Sequence, residues 1–389
     1  MNPGWRWLPT AWRLARLNGR EGAPEWIPAE VPGAVQLDWA RATGLPDFAH
    51  GSNARLYDGL EDFHWLYRTE VPEARPGASE ELAFVCGGVD YAFEVRLGGR
   101  PVHAQEGMFT PFEVDVSGCA AGTALEILVR PAPKRPGAPP GRAEASASCK
   151  PAVSYGWDWH PRLIPLGIWR PARFCIRPRK RVGPVDFRYA LAADLGAAEI
   201  TVEAPQAPGC SWTLEEPSGR VALESSEPSA RLERPRLWWC HDQGEPFLYT
   251  LVVRAAGGDV VRRKVGLRRV RLVMNEGGWR TGQGFPASRA YPPATIELNG
   301  RRIFAKGSNW VSSDVFPGRV RDDDLRALAG LAKRSNFNLL RCWGGAVVNP
   351  EAFFEACDEM GLLVWQEFPL ACNDYPDDAG YLAVLGRES

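Results

Sequence analysis

Aromatic and charged side chains that could bind a ligand are concentrated in residues 154–171, which read SYGWDWHPRLIPLGIWRP. Asp158 lies between Trp157 and Trp159, and His160 follows directly. A carboxylate accepts hydrogen bonds from hydroxyl groups and an indole offers a flat apolar face, so this combination suits recognition of a ligand. The alternative is an Asx turn, in which the Asp158 carboxylate bonds the backbone and the aromatic rings only anchor the loop. Taken alone, the residues favour the Asx turn.

Composition argues against several other kinds of site. The histidines are scattered singly, with no HxH, HxxxH or Cys/His pairing that would present ligands to zinc, so we expect no metal and no other cofactor. Lys and Arg total 46 against 47 Asp and Glu, without a long run of either sign, so we expect no nucleic-acid partner. No apolar stretch reaches the ~20 residues that cross a bilayer, so we expect no membrane partner.

Cysteine usage and the first residues predict a cytoplasmic protein. The nine cysteines form an odd set without a CxxC pair, which fits reduced and mostly buried thiols better than a disulfide framework. The opening MNPGWRWLPTAWRLARLNG has polar and Pro residues where a signal peptide needs an apolar core. The oligomeric state is left open by the sequence.

The segment 154–171 lies between two stretches of β pattern. Short alternating segments separated by Gly and Pro turns fill residues 63–130 and predict antiparallel strands. Residues 131–152 hold too much Pro, Gly and Ala for a strand or a stable helix, and RPARFCIRP then resumes the alternation. We therefore predict that residues 131–169 form one long loop that leaves and re-enters a single β-sandwich. A second strand series over residues 184–272 predicts an immunoglobulin-like sandwich.

From about residue 294 the pattern changes to α/β. The dipeptide Asn299-Gly300 predicts a hairpin. FNLLRCW and LLVWQEF are apolar strands, and each follows a segment of helical pattern. The resulting order β, α, β, α, β predicts a parallel sheet covered by helices.

The two helices carry their own end signals. The first has Asp322 to Asp324 at its start and Lys333 and Arg334 at its end, which suits the helix dipole. Its predicted apolar face consists of Leu325, Leu328, Ala329, Leu331 and Ala332. The second is predicted to have Asn349 as N-cap, Pro350 at its first position and Gly361 at its end. Its carboxylates Glu355, Asp358 and Glu359 are interpreted as a solvated face.

Eight segments in chain order carry a resemblance to a known family. They are WIPAEVPGAVQLDW, FHWLYRTEV, GGVDYAFEVRLGGRPVHAQEGMFTPFEVDV, YGWDWHPRLIPLGIWRP, LWWCHDQGEPFLYTL, GSNWVSSDVFPGRV, NFNLLRCWGG and EACDEMGLLVWQEFPLACNDYP. Together they resemble the N-terminal part of a β-mannosidase of glycoside hydrolase family 2, over nearly the whole chain. The resemblance implies a jelly-roll β-sandwich in residues 1–180, an immunoglobulin-like β-sandwich in 181–274 and the first part of a (β/α)8 TIM barrel in 275–389.

The resemblance also implies a reaction for which this chain lacks the central groups. Retaining glycosidases use two carboxyl groups about 5 to 5.5 Å apart, and in this family both are glutamates at the ends of the fourth and seventh barrel strands. A complete barrel takes about 250 residues, and barely a hundred follow the hairpin. We therefore expect a truncated barrel, no catalytic residue in this chain, and both catalytic glutamates beyond Ser389.

In such enzymes the Trp-Asp-Trp loop reaches from the first domain into the barrel mouth and binds sugar hydroxyls. The resemblance therefore implies that Trp157 and Asp158 contact the substrate, while Trp159 is expected to be structural. His160 stands where most relatives have Gly, which places bulk and a titratable donor beside the site and leaves the exact sugar open.

Ends of the predicted barrel strands supply the remaining candidates. Arg341 and Trp343 end the second strand, and they are expected to bind substrate because active sites of barrels lie at the C-terminal strand ends. A structural ion pair for Arg341 and a core position for Trp343 are the alternatives. Asn309 and Trp310, after the first strand, are expected to line the same rim, and Glu367 to support it by hydrogen bonding.

The function implied is a retaining exo-glycosidase that releases terminal β-D-mannose from small oligosaccharides, with this chain inactive on its own. A carbohydrate-binding module and an inactive fragment are two alternatives from other classes. Another activity of the same family, such as β-galactosidase, β-glucuronidase or exo-glucosaminidase, is a third.

Overall fold

A computed structural model describes residues 5–17, 24–276 and 294–389. Residues 5–178 form a sandwich of two antiparallel sheets, with strand orders β1-β12-β5-β9 and β3-β2-β4-β10-β7-β8. A short pair, β6-β11, and helix α1 (Val35–Thr43) complete it. Its strands are β1 (Arg6–Trp7), β2 (Trp12–Leu17), β3 (Ile27–Ala29), β4 (His64–Glu70), β5 (Glu80–Cys86), β6 (Val89–Asp90), β7 (Ala92–Leu97), β8 (Arg100–Glu106), β9 (Phe112–Asp115), β10 (Ala124–Val129), β11 (Gly167–Ile168) and β12 (Ala172–Pro178).

Alternation of apolar residues places one face of each sheet in the core of this first sandwich. In β10, Leu125, Ile127 and Val129 are fully buried, whereas the residues between them are partly exposed. Ile127 lies opposite Tyr67 of β4 on one side and Val95 of β7 on the other, and both partners are also fully buried. The period of two therefore fixes the register, because a slip of one residue would turn these side chains to solvent.

Residues 131–169, which we name the crossover, connect the two sheets of the first sandwich. β10 belongs to the six-stranded sheet and β12 to the four-stranded sheet. The prediction of one connection within a single sandwich is confirmed, but the segment is not a plain loop. It contains 3-10 helices at Arg142–Ala147 and Ala152–Tyr155 as well as β11. Short i to i+3 turns tolerate the frequent Pro and Gly residues, which exclude longer helices.

Residues 186–265 form a second sandwich of a three-stranded sheet, β13-β14-β17, and a four-stranded sheet, β16-β15-β18-β19, both antiparallel. The buried Trp212 and Tyr249 lie in its core. Its strands are β13 (Asp186–Leu191), β14 (Ala197–Glu203), β15 (Ser211–Glu215), β16 (Val221–Ser225), β17 (Ser229–Glu233), β18 (Tyr249–Arg254) and β19 (Val260–Val265).

An antiparallel sheet of β20 (Val270–Met274), β21 (Ala294–Leu298) and β22 (Arg301–Ile303) follows. The predicted hairpin is confirmed: Leu298 pairs with Arg301 across Asn299 and Gly300, which both have positive φ as a tight hairpin turn requires. Part of the range predicted for the barrel, residues 277–293, lies outside the described residues.

Three parallel strands, β23 (Gly307–Trp310), β24 (Leu339–Cys342) and β25 (Leu363–Gln366), form the last sheet. Helices α2 (Asp322–Arg334) and α3 (Glu351–Met360) connect them, and α4 (Ala379–Glu388) follows. A 3-10 helix at Pro317–Arg319 precedes α2, and two others, Asn53–Tyr57 and Leu60–Asp62, lie in the first sandwich. The predicted β, α, β, α, β order with parallel strands is confirmed.

Two details of the helices differ from the predictions. Leu325, Ala329 and Ala332 of α2 are buried, but Leu328 and Leu331 are 39% and 52% exposed. The covered stripe of α2 is therefore narrower than the apolar face in the sequence. The N-cap of α3 is Pro350 and not Asn349, and the helix runs from Glu351 to Met360 with Gly361 as its C-cap. The Asn349 amide instead accepts the indole N–H of Trp310 at 3.0 Å.

The predicted solvated face of α3 is also wrong in part, since only Glu355 is exposed. The Asp358 carboxylate lies 3.1 Å from the Arg268 guanidinium, and Glu359 lies 2.6 Å from Lys264 Nζ. Burial raises the pKa of Asp358 despite the nearby arginine. Because Arg268 and Lys264 come from the second sandwich and its exit, these carboxylates join that sandwich to α3.

The nine cysteines are free thiols, and most are buried, as predicted. Within the described residues, no helix combines the length and apolar character needed to span a bilayer.

Candidate functional site

Three of the predicted site residues meet at the carboxyl edge of the parallel sheet. Asn309 and Arg341 lie opposite each other on neighbouring strands, and Glu367 follows β25 directly. Arg341 Nε donates to Glu367 Oε1 at 2.7 Å, and Nη1 donates to Asn309 Oδ1 at 3.0 Å. The second carboxylate oxygen of Glu367 accepts the Gly344 backbone N–H at 2.8 Å. The ion pair considered for Arg341 is therefore present, and it joins the ends of three strands.

Trp310 points away from this edge, contrary to the prediction. Its ring lies 4.6 Å from that of Phe353 in α3, and its indole N–H bonds the Asn349 amide. Successive residues of a strand face opposite sides, so Trp310 faces the helices when Asn309 faces Arg341.

A tight turn at the tip of the crossover presents two of the candidate residues. The Trp157 N–H donates to the His160 carbonyl at 3.0 Å, and the His160 N–H donates to the Trp157 carbonyl at 3.2 Å. Asp158 and Trp159 occupy the two positions between, and both are exposed. The Asx turn considered for Asp158 does not form, because the His160 N–H that it would bind is used by Trp157.

Trp343 lies against this turn, just beyond the end of β24. Its ring centroid is 4.9 Å from that of Trp157, in an edge-to-face arrangement, and 6.2 Å from that of Trp159. Trp159, expected to be structural, is 51% exposed, so its outer face is open to solvent. Three indoles thus lie together at the turn that carries the exposed Asp158, two from the first sandwich and one from the α/β unit.

His160 closes the turn and packs against it, with its ring 5.7 Å from that of Trp159 in an edge-to-face arrangement. It is only 8% exposed, and its Nδ1 lies 2.8 Å from the Pro161 carbonyl, so this nitrogen carries the proton. Burial lowers the pKa of His160, against the smaller opposing effects of the Pro161 carbonyl and Asp314. The imidazole is therefore neutral at physiological pH.

Two features that hold the site together were missed in the sequence. The Arg142 guanidinium lies 4.7 Å above the ring of Trp157, and the Asn373 amide donates to the Arg142 carbonyl at 3.1 Å. The Val153 N–H donates to the Gly345 carbonyl at 3.0 Å. These contacts fasten the crossover to the segments that follow β24 and β25. No local pattern signals them, because the Arg142 and Asn373 partners are 231 positions apart.

The described residues contain no group of three or more His, Cys, Asp or Glu placed to hold a metal ion. The chemistry of the site consists of one exposed carboxylate, the exposed indole of Trp159, the partly buried indoles of Trp157 and Trp343, and an Arg-Glu-Asn network. This set can accept hydroxyl donors and cover an apolar ring face.

The two sandwiches lie in regions of the chain that match models of a single protein family. Residues 12–170 match the family model described as glycosyl hydrolase 2 galactose-binding domain-like, and residues 187–268 match the model of glycosyl hydrolases family 2. These matches together cover more than half of the chain. The chain belongs to glycoside hydrolase family 2.

Within this family the chain is similar to an N-terminal portion of the β-mannosidases. It is 28% identical to β-mannosidase B of Thermothelomyces thermophilus, over 93% of this chain and 45% of the relative. It is also 28% identical to β-mannosidase B of Aspergillus terreus, over 98% of this chain and 48% of the relative. The chain thus spans about half the length of the curated relatives it matches.

Solved structures agree with the sandwich architecture. The β-D-mannosidase of Dictyoglomus thermophilum superimposes with a TM-score of 0.79 at 25% identity, over 99% of this chain and 49% of that one. A β-glucuronidase of Bacteroides uniformis superimposes with a TM-score of 0.70 at 16% identity, over 100% of this chain and 48% of that one. The second likeness concerns the fold alone.

Proposed function

We propose that this chain forms the substrate-recognising part of a retaining, β-mannosidase-like exo-glycosidase that releases terminal β-D-mannose from small oligosaccharides. The observation that carries the proposal is the position of Asp158. Asp158 is exposed on a closed turn between Trp157 and Trp159, and the rings of both tryptophans lie near that of Trp343 from a different structural unit. A pyranose placed there can donate two hydroxyl hydrogens to the carboxylate and pack a face on an indole.

In this proposal Arg341 and Glu367 form a fixed polar surface that a sugar hydroxyl can contact. Each oxygen of Glu367 accepts a hydrogen bond, from Arg341 or from the Gly344 amide. The remaining donor capacity of Arg341 and Asn309 is available to a sugar hydroxyl. Glu367 orients Arg341 by a charge-assisted bond, which is a supporting role and not that of a nucleophile.

The two catalytic carboxylates are proposed to lie outside this chain. We base this on the resemblance, since the parallel sheet is proposed to be the first part of a (β/α)8 barrel whose fourth and seventh strands carry them. Retention needs two carboxyl groups about 5 to 5.5 Å apart. A cytoplasmic location is proposed on the nine free thiols, which persist in a reducing compartment.

Titration of the chain with methyl β-D-mannoside, followed by tryptophan fluorescence, tests the recognition step. Asp158→Asn should weaken binding about 10- to 100-fold, the range for loss of a hydrogen bond to a charged group. Asp377→Asn, an exposed carboxylate beyond β25, is the matched control and should leave the affinity unchanged. Equal affinity for the Asp158 variant and the unaltered chain would contradict the proposal.

A turnover assay with p-nitrophenyl β-mannoside, β-galactoside and β-glucuronide tests the placement of the carboxylates. We expect no measurable hydrolysis by the chain itself. Turnover near that of a complete glycosidase would show that the catalytic pair is present here.

A carbohydrate-binding module is the second candidate function, because Asp158 and both tryptophans of the tip belong to the first sandwich. Trp343 discriminates between the two functions, since it belongs to the α/β unit. Trp343→Ala should abolish mannoside binding if the site is shared between units. Undiminished binding by this variant would favour an autonomous module.

A further inference from the structure

The last turn of α4 is attached to the first sandwich through a single carboxylate. Glu388 Oε2 accepts the backbone N–H groups of Met108 at 2.6 Å and Phe109 at 2.7 Å. Its Oε1 accepts the Thr110 N–H at 3.2 Å and the Thr110 hydroxyl at 2.5 Å. Four donors from three consecutive residues thus converge on one carboxylate, an arrangement that binds anions in many proteins.

The segment that receives Glu388, residues 106–110, is shaped for it, and we name it the receptor turn. Gly107 has φ of +116°, and a Cβ at this position would overlap the Glu388 carboxyl group. The Trp169 indole N–H donates to the Met108 carbonyl at 2.9 Å from behind. The donors are therefore held in place by the sandwich and do not need to reorganise around the carboxylate.

Further contacts join the same two segments. The Arg387 guanidinium donates to the Glu106 carbonyl at 2.7 Å, and the Thr110 hydroxyl also lies 2.9 Å from the Arg387 carbonyl. Two consecutive residues at the end of α4 are thus engaged by the receptor turn.

Apolar packing alone holds α4 weakly. Tyr381 is the one buried residue of α4, and Leu382 is 50% exposed. The hydrogen bonds that the Glu388 carboxylate accepts from the receptor turn supply an attachment that this sparse packing lacks.

Residues 373–388, which follow β25 and include α4, also contact the crossover. The Asn373 amide binds the Arg142 carbonyl, and the Arg142 guanidinium covers Trp157. Tyr381 lies beside the thiol of Cys149. Residues 373–388 therefore contact the crossover at two points, in addition to the contact of Glu388 with the receptor turn.

We infer that Glu388 is a positioning residue, which fixes α4 on the first sandwich and thereby holds the crossover tip, with Trp157 and Asp158, in its ligand-facing position. The inference that this position serves sugar binding rests on the proposed function. The attachment itself does not, and it is measurable without any ligand.

Hydrogen exchange of the whole chain tests the attachment. In Glu388→Ala, the amides of Met108, Phe109 and Thr110 should exchange about 10- to 100-fold faster, as expected for loss of hydrogen bonds to a charged acceptor. The positioning role further requires faster exchange of the Trp157 and His160 amides, which bond each other across the tip turn. Glu355→Ala, an exposed glutamate of α3, is the control and should change neither set.

A second variant approaches the same contact from the other side. Gly107→Ala places a methyl group where the carboxylate lies, so it should release Glu388 without altering α4. Alanine at φ of +116° also strains the receptor turn, so the double variant is compared with Gly107→Ala alone and should exchange no faster at the tip, because Glu388 has already been released in that variant. Additive effects would overturn the inference, and so would unchanged exchange at Trp157 and His160 in Glu388→Ala.

Methyl β-D-mannoside separates this inference from the proposed function. If the unaltered chain binds it, Glu388→Ala should weaken binding several-fold although it lies outside the site, and an unchanged affinity would overturn the positioning role. If the unaltered chain does not bind, the proposed function fails, and the exchange of the tip amides still decides whether Glu388 positions the crossover.

Discussion

Lys150→Met should destabilise the first sandwich strongly, because it leaves the carboxylate of Asp90 buried without a cation. Both side chains are almost fully buried, at 1% and 2% exposure, and Lys150 Nζ donates to Asp90 Oδ2. The same ammonium group donates to the Pro165 carbonyl at 2.9 Å. Lys150 and Pro165 flank the crossover tip on either side, so the pair closes the base of the segment that carries Asp158.

The expected cost is about 3 to 5 kcal/mol at neutral pH, the range for breaking a buried ion pair by removal of one partner. Burial raises the pKa of Asp90 and the nearby Lys150 opposes this effect. Without Lys150, Asp90 is protonated in the folded chain and ionised in the unfolded chain above pH ~4. The unfolded state then binds fewer protons, so the variant should lose stability as the pH rises, by at most about 1.4 kcal/mol per pH unit.

Urea unfolding at pH 5 and pH 8, with hydrogen exchange to locate the change in the first sandwich, measures this cost. The double variant Asp90→Asn with Lys150→Met removes both charges and should recover most of the lost free energy. A loss below about 1 kcal/mol in Lys150→Met, or no recovery in the double variant, would refute the argument that the pair is buried and mutually compensating.

Three further predictions follow from single side chains. Burial raises the pKa of Asp38 to about 7, so between pH ~4 and 7 the folded chain keeps a proton on Asp38 that the unfolded chain has lost. The free energy of unfolding should therefore decrease as the pH rises through this window, and Asp38→Asn should make this decrease smaller in urea titrations. Trp343→Ala should weaken methyl β-D-mannoside binding at least about tenfold in fluorescence titrations, since it removes the indole that contacts the rings of Trp157 and Trp159. Trp26→Ala, next to β3 of the first sandwich and beside Arg68, is the control and should leave the affinity unchanged. Cys372 is the exposed member of the nine free thiols and should react with N-ethylmaleimide first in peptide mass spectrometry; equally fast labelling of the buried Cys342 would contradict the packing of β24.

Local patterns were sufficient for most elements of the fold. The alternation in β10 gave its buried face, and the charges at the two ends of α2 gave its bounds, because both signals act over neighbouring residues. The Asn299-Gly300 turn was equally local. The width of the buried stripe on α2 was not predictable in this way. Leu328 and Leu331 belong to the apolar face by spacing, and only the neighbouring elements decide which part of that face is covered.

The candidate site was less predictable than the fold. The carboxyl ends of parallel strands share one edge of the sheet, which predicts that Asn309, Arg341 and Glu367 lie close together. The opposite direction of Trp310 follows from strand alternation, but the phase of a four-residue strand is not evident in GSNW. Glu388 and the receptor turn are about 280 positions apart. Asp358 and Glu359 of α3 form ion pairs with Arg268 and Lys264, which come from the second sandwich and its exit. Contacts of this range depend on how the units pack.

The attachment of the crossover to both sheets of the first sandwich constrains how a ligand can enter. A lid swings on hinges at one or both ends, but the crossover begins after a central strand of one sheet and ends in β12 of the other. In the intact chain its tip is held by these two ends together with the buried Lys150–Asp90 pair and the contact of Asn373 with Arg142. The surface for which we propose sugar recognition is therefore preformed, and little ordering entropy should be lost on binding of a ligand there. Association should then be a single step limited by encounter, without a slow closing phase in stopped-flow fluorescence.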